Sequence, residues 1–214
     1  MAVLRVYWKT IRHINLCGYI YIWANLLWFA LSLPIVTAPA AWAGLVHLSH
    51  KAQTEPRVNL DDFWEGFKAN FKRGLVVGGL TLVILVMNLS NLATYGADGS
   101  LMSSALRALW AGAIVLWFSL LFYLWPLLMV METPTLIGAF RNAGLMLLRN
   151  PLYTLGLWLG IAALVIFSLI FIPAWILLTG SVIAALATTA TLDRLRAAGY
   201  TFPEYHQPGP VQGE

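Results

Sequence analysis

The chain has 214 residues, 60% of them hydrophobic and only 10% charged, with a mean hydropathy of +0.75. A water-soluble domain carries about 25% charged residues, so this composition leaves too few to coat a globule and excludes that class. The formal charge of +4 is no sign of nucleic-acid binding, because the basic residues flank apolar runs, where orientation in a membrane accounts for them.

Residues 3–13 form an amphipathic helix in the sequence pattern. Leu4, Tyr7, Trp8 and Ile11 recur at helical spacing, while Arg5, Lys9 and Arg12 share another face. Residues 14–33 follow without a charge, enough to cross about 30 Å of hydrocarbon. Basic residues before an apolar run, with Ala41-Trp42-Ala43 downstream, resemble a signal peptide. The run is longer than the roughly 7–15 residues of a signal core, and it is read as retained. Leu33-Pro34 through Ala38-Pro39 then makes a proline-bearing turn.

Residues 35–50 are shorter than an ordinary span and are either a crossing or a re-entrant segment. The positive-inside rule separates these. Six crossings with cytoplasmic termini put twelve of the thirteen Lys and Arg inside and only Arg107 outside, whereas five crossings divide them less unevenly. Six are therefore expected. His47 and His50, three apart near the end of this run, could open a metal site, but no further ligand has suitable spacing. Interfacial or capping roles fit them better, and neither metal nor cofactor is expected.

Residues 60–73 carry the clearest amphipathic pattern. Asn59 is an N-cap candidate; Asp61, Asp62 and Glu65 suit the helix start, and Lys68, Lys72 and Arg73 its end. Leu60, Phe63, Trp64, Phe67 and Phe71 line one face. That face either lies in the membrane interface or packs on other helices, and the two are compatible.

The third and fourth crossings are expected over 74–95 and 108–131, joined by the turn Gly96-Ala97-Asp98-Gly99-Ser100. A third amphipathic helix, 134–149, begins with Pro134 at its first position. Its stripe is Leu136, Ile137, Phe140, Ala143 and Leu147, with Arg141 and Arg149 elsewhere. Crossings over 151–172 and 174–192 flank Pro173, and the tail 203–214 reads as disordered and cytoplasmic. The fold expected is all-α: six transmembrane helices as three hairpins in one domain over 1–202, each hairpin preceded by an interfacial helix. Tyr7-Trp8-x-x-Ile11-Arg12 and Phe63-Trp64-x-x-Phe67-Lys68 echo each other, through common origin or through shared interfacial chemistry.

No Asp, Glu, Lys or Arg lies inside the six expected spans, which weighs against proton-coupled transport and leaves open passive conduction or a Na⁺ site of carbonyls and hydroxyls. The embedded polar residues, among them Asn25, Thr37, Ser119, Ser168, Thr179, Ser181, Thr188 and Thr189, read first as interhelical hydrogen-bonding groups. Asn88 and Asn91, three apart on one helix face, are the pair expected to line a polar path if one exists. Gly74, Gly78 and Gly79, and Gly156 with Gly160, read as close helix contacts. No catalytic motif is present, so no enzyme is expected.

The run NLLWFALSLPIVTAPAAWAGLVHLSHK, the following DFWEGFKANFKR and the later AFRNAGLMLLRNPL resemble the YesL family of bacterial integral membrane proteins over roughly 14–192. The resemblance implies a protein of the bacterial cytoplasmic membrane with an accessory role in carbohydrate uptake; it supplies no catalytic residues. The partners expected are the lipid bilayer, subunits of a membrane transporter or sensor, and further copies of the chain, but no nucleic acid. Trp64, Phe67, Lys68 and Phe71 are the expected partner surface, with aromatic anchors and an orienting charge. The alternative is a small permease or channel subunit.

Overall fold

The computed structural model describes residues 2–95 and 100–203. Over these the chain is all-helical: α1 (Ala2–Ser32), α2 (Ala38–Thr54), α3 (Leu60–Ala69), α4 (Phe71–Thr94), α5 (Leu101–Val130), α6 (Leu136–Arg149) and α7 (Pro151–Ile170). A last continuous segment holds α8 (Ile172–Ala174), a π-helical turn (Trp175–Thr179) and α9 (Gly180–Ala197). Five helices are long and apolar enough to cross a membrane: α1, α4, α5, α7 and the segment Ile172–Ala197. The protein is thus a multi-pass membrane protein by helix length and composition. α2 has 17 residues, about 25 Å of helix, and is not among the five. The 96–99 turn and the tail from residue 204 lie outside the described residues.

Several expected boundaries are corrected. The helices expected over 3–13 and 14–33 run on as one stretch, α1, kinked where two helical pieces meet at Cys17 (φ −110°, ψ 15°), so the break lies at 17 and not at 13. The amphipathic segment 60–73 stops at Ala69, because Asn70 leaves helical geometry and donates its amide to the Gly66 carbonyl at 3.0 Å. Phe71, Lys72 and Arg73 belong to the first turn of α4. α5 starts at Leu101, capped by Ser100, several residues before the expected 108. The third amphipathic helix starts at Leu136, since the Thr135 hydroxyl accepts from the Gly138 N–H at 3.2 Å and takes the capping role. Its buried face is Ala139, Ala143 and Met146, whereas Ile137 of the expected stripe points outward.

Burial shows which helices form the centre. α2 and α9 are the most enclosed, with Ala40, Ala41, Ala43, Leu45, Val46 and Leu48 of α2 and Ala184, Ala185, Ala187 and Ala190 of α9 buried. Both are rich in Ala, Ser, Thr and Gly. Small residues let helix backbones approach, which is how helices associate when lipid is as apolar as their side chains. α4, α5 and α7 carry the Leu, Ile, Val and Phe, and show long exposed apolar rows such as Leu82, Val83, Val86 and Leu89. The greasiest helices face outward and the least greasy sit inside.

The first turns of α1 dock on α7. A Cβ on Gly160 would collide with the Tyr7 phenol, and one on Gly156 would meet Val3 at 3.0 Å. The Tyr7 hydroxyl lies 2.8 Å from the Gly156 carbonyl and 2.9 Å from that of Leu157, and accepts from the Gly160 N–H at 3.1 Å. The glycine pair read as a close contact takes a tyrosine from another helix.

Candidate functional site

Two places concentrate polar chemistry. The first is the joint between α2 and α3. Asn59 caps α3: its side chain accepts from the Asp61 N–H at 2.8 Å while its own N–H donates to Asp62 at 2.8 Å. This closes a capping box and fixes where Asp62 and Glu65 point. The Lys51 ammonium at the end of α2 donates to Asp62 Oδ1 at 2.9 Å and to Glu65 Oε2 at 2.8 Å. Those two contacts, Glu65 first, push the Lys51 ammonium above its usual range. Lys51 in turn holds the Glu65 carboxyl below its usual range. α3 lies against α2 through glycine: a Cβ on Gly44 would meet the Phe63 carbonyl at 2.8 Å, and one on Gly66 would collide with His47 Cβ.

The expected partner residues sit on this joint. Phe63, Trp64, Phe67 and Phe71 form an edge-to-face row with centroids 5.8, 5.7 and 5.6 Å apart. Phe63 is fully buried, and Trp64 and Phe67 are half-buried against the same core. The apolar stripe of α3 is therefore largely occupied by α2, and the outward face of α3 is charged, with Asp61, Glu65 and Lys68 exposed. Lys68 is the expected residue that stands clear of the core, and Phe71, half-buried, starts α4. His47 Nδ1 lies 3.4 Å from Met129 Sδ, and His47 Nε2 3.8 Å from Glu65 Oε2. Among the described residues no group of three or more His, Cys, Asp or Glu comes together as a metal site.

The second place is the π-turn. Asn25 of α1 is fully buried. Its amide donates to the carbonyls of Trp175 at 3.2 Å and Ile176 at 2.7 Å, and its oxygen accepts from the Ser181 N–H at 2.7 Å. The Ser181 hydroxyl donates to the Tyr21 carbonyl at 2.7 Å. Thr179 donates to the Ala174 carbonyl, five residues back, at 3.0 Å, and lies 2.6 Å from the Ser168 hydroxyl. Gly180 has no room for a side chain, since its Cβ would lie 2.6 Å from the Trp28 ring. One asparagine thus staples a five-residue irregularity of the last segment to α1. π-turns cluster at functional positions. The residues were visible in sequence as embedded polar groups; their convergence was not, since 150 residues separate Asn25 from its partners.

Asn88 and Asn91 do not face a common partner. Asn88 is buried and donates to the Ile84 carbonyl at 2.8 Å; Asn91 is half-buried and donates to that of Met87 at 2.8 Å. Asn88 belongs to a seam between α4 and α5. Trp117 Nε1 donates to the Thr81 hydroxyl at 3.2 Å, and the Ser103 hydroxyl to the Tyr95 carbonyl. Seven residues from the first pair on each helix stand Asn88 and Trp110, whose Oδ1 and Nε1 are buried without a partner among the described residues. Elsewhere Trp158 donates to Ser119 at 2.7 Å, Tyr123 and Thr154 pair at 2.9 Å, and Thr189 donates to Gln53 at 3.1 Å. These side chains brace helices against one another.

Residues 21–92, from mid-α1 through most of α4, match a family model described as a protein of unknown function, DUF624. The matched segment contains Asn25, the α1–α2 turn and the whole α2–α3 joint. No curated protein and no solved structure matches the chain.

Proposed function

We propose that the protein is a non-catalytic accessory component of the bacterial cytoplasmic membrane, linked to carbohydrate uptake, with both termini and the α2–α3 joint on the cytoplasmic side. In this reading the long segments are threaded as three hairpins, and subunits of an importer or sensor dock on the joint. The observation that carries it is that most embedded polar groups bond to backbone and to each other, as at Asn25, Ser119, Thr154 and Ser181, while the charged side chains Lys51, Asp62, Glu65 and Lys68 gather at one joint. The DUF624 match is consistent with a YesL-type protein, and the uptake link rests on that resemblance. Docking centres on Lys68, flanked by the uncovered edges of Trp64, Phe67 and Phe71.

Co-purification from native membranes tests this. Trp64→Ala with Phe67→Ala should lose the partner, but Phe67 also packs on Gly44, so that pair of changes loosens the fold as well. Lys68→Glu inverts an exposed charge without touching the core and should cut recovery of importer subunits about tenfold, the effect of about 1.4 kcal/mol. Unchanged recovery refutes docking at Lys68. The second reading, a small permease or channel subunit, is favoured by the π-turn in the last segment. Sugar movement into liposomes by the purified protein alone would replace the first reading with it.

A further inference from the structure

We infer that two of the turns joining the long helices, Leu33–Thr37 between α1 and α2 and Phe171–Pro173 between α7 and α9, are seated in lipid acyl chains rather than in water. The inference rests on the membrane reading and concerns how far each hairpin reaches.

The first observation is what these turns expose. Leu33 is 70% exposed, Ile35 79%, Val36 65%, Ile170 82% and Ile172 65%. Water would meet five large apolar side chains and no charge. The second row continues one already established, because Leu159, Ile166, Phe167 and Leu169 are exposed along α7 directly before the turn. A surface that faces lipid along the helix runs on into the turn without a polar residue to end it.

The second observation is that the turns pair most of their own N–H groups, which hydrocarbon favours far more than water does. In the first, the N–H groups of Leu33, Ile35, Val36 and Ala38 donate to the carbonyls of Ala30, Ser32, Pro34 and Ile35. The Thr37 hydroxyl donates to the Leu31 carbonyl and that of Ser32 to Trp28. In the second, the Phe171 N–H donates to Phe167 at 2.8 Å and that of Ala174 to Phe171 at 2.9 Å. Pro34, Pro39 and Pro173 have no N–H to satisfy. The Val36 bond to Pro34, at 2.6 Å, closes a γ-turn that holds Ile35 at φ 60°. A β-branched residue is disfavoured there, and the strain is accepted where the alternative is an unpaired N–H.

The third observation is reach. A Cβ on Gly74 would lie 2.8 Å from Ala40 N, and one on Gly78 2.7 Å from Pro39, so the start of α2 packs on the first two turns of α4. α4 continues from Gly79 to Thr94, about 24 Å of helix beyond that contact. The α1–α2 turn therefore stops well short of the far end of α4. A hairpin that turns inside the bilayer returns both its ends to one side, so the asymmetry of basic residues is the same as for a full crossing.

The test uses the full-length protein in liposomes, with Cys17→Ala as background and single changes Val36→Cys, Leu33→Cys, Phe171→Cys, Ser100→Cys and Leu155→Cys. A membrane-impermeant maleimide is presented to both faces. Ser100→Cys should label quickly. The three turn variants should label at least tenfold more slowly, like lipid-facing Leu155→Cys, and should react fully after denaturation. Turn variants that label as fast as Ser100→Cys overturn the inference, with Leu155→Cys still protected. Fast labelling at Leu155→Cys overturns the membrane reading beneath it.

Discussion

Replacing Asn25 by Ala tests whether the π-turn is held from outside. The change deletes three hydrogen bonds, two to the carbonyls of Trp175 and Ile176 and one from the Ser181 N–H. Interhelical hydrogen bonds in membrane proteins average about 0.6 kcal/mol, so three give about 2 kcal/mol. Ser181 N–H and the Ile176 carbonyl would then be buried without those partners, and orphaned groups cost about 1–3 kcal/mol each unless the backbone relaxes. The expected loss is about 2–4 kcal/mol. Reversible unfolding in bicelles, followed by tryptophan fluorescence, measures it. Asn91→Ala is the control, because Asn91 is half-exposed and bonds only to its own helix; its effect should stay within about 0.5 kcal/mol. If Asn25→Ala also stays within that margin, the asparagine does not hold the π-turn.

Two further stability outcomes are expected. Gly66→Ala should cost about 1–3 kcal/mol by forcing α3 off His47, while Gly79→Ala, with open space around it, should be neutral or gain up to about 1 kcal/mol; equal effects would show that α2 and α3 are not in tight contact. The carboxyl of Glu65 is held below its ordinary 4.5 by Lys51, so its stabilisation is complete above that value and fades as pH falls through the lowered one. Lys51, pushed above its ordinary 10.5, loses its share only in strong alkali. The stability difference between wild type and Glu65→Gln should be flat from pH 6 to 9, at most about 1 kcal/mol because Glu65 is 59% exposed, and should shrink below pH 4.5. A difference undiminished at pH 3 would rule out the ion pair as its source.

The class, the order of elements and the Asn59 cap were legible in the sequence, because long uncharged runs and capping residues act locally. Asn59 with Asp62 is such a case: a pattern four residues long that the structure realises as a capping box. The end of α3 was not legible, since Phe71 continues the stripe begun at Leu60 and only the Asn70 side chain, bonding back to Gly66, breaks it. Nor was the orientation of α6, where burial chose Ala139, Ala143 and Met146 over the bulkier Ile137. Hydropathy measures what lipid would accept, so it finds outward helices well and ranks central ones low. That is why α2 looked short for a span and is instead one of the two most enclosed helices. The staple at Asn25 depends on a partner 150 residues away, and no local pattern announces it.

The inversion of hydropathy in this bundle bears on how the chain is made. A nascent segment enters lipid on the strength of its own residues, where Leu, Ile, Val and Phe each favour entry by about 0.3–0.6 kcal/mol. α4, α5 and α7 meet that condition throughout their length, whereas the last segment meets it mainly through residues 172–178, and α9 itself, built on Gly180-Ser181 and Ala184 through Thr191, gains less by it. α9 is made after the other described helices, and its slot is lined by α1 and α2, both made well before it. Docking of α9 against α1 and α2 is thus a late step, and the core around these helices does not exist until α9 has been made.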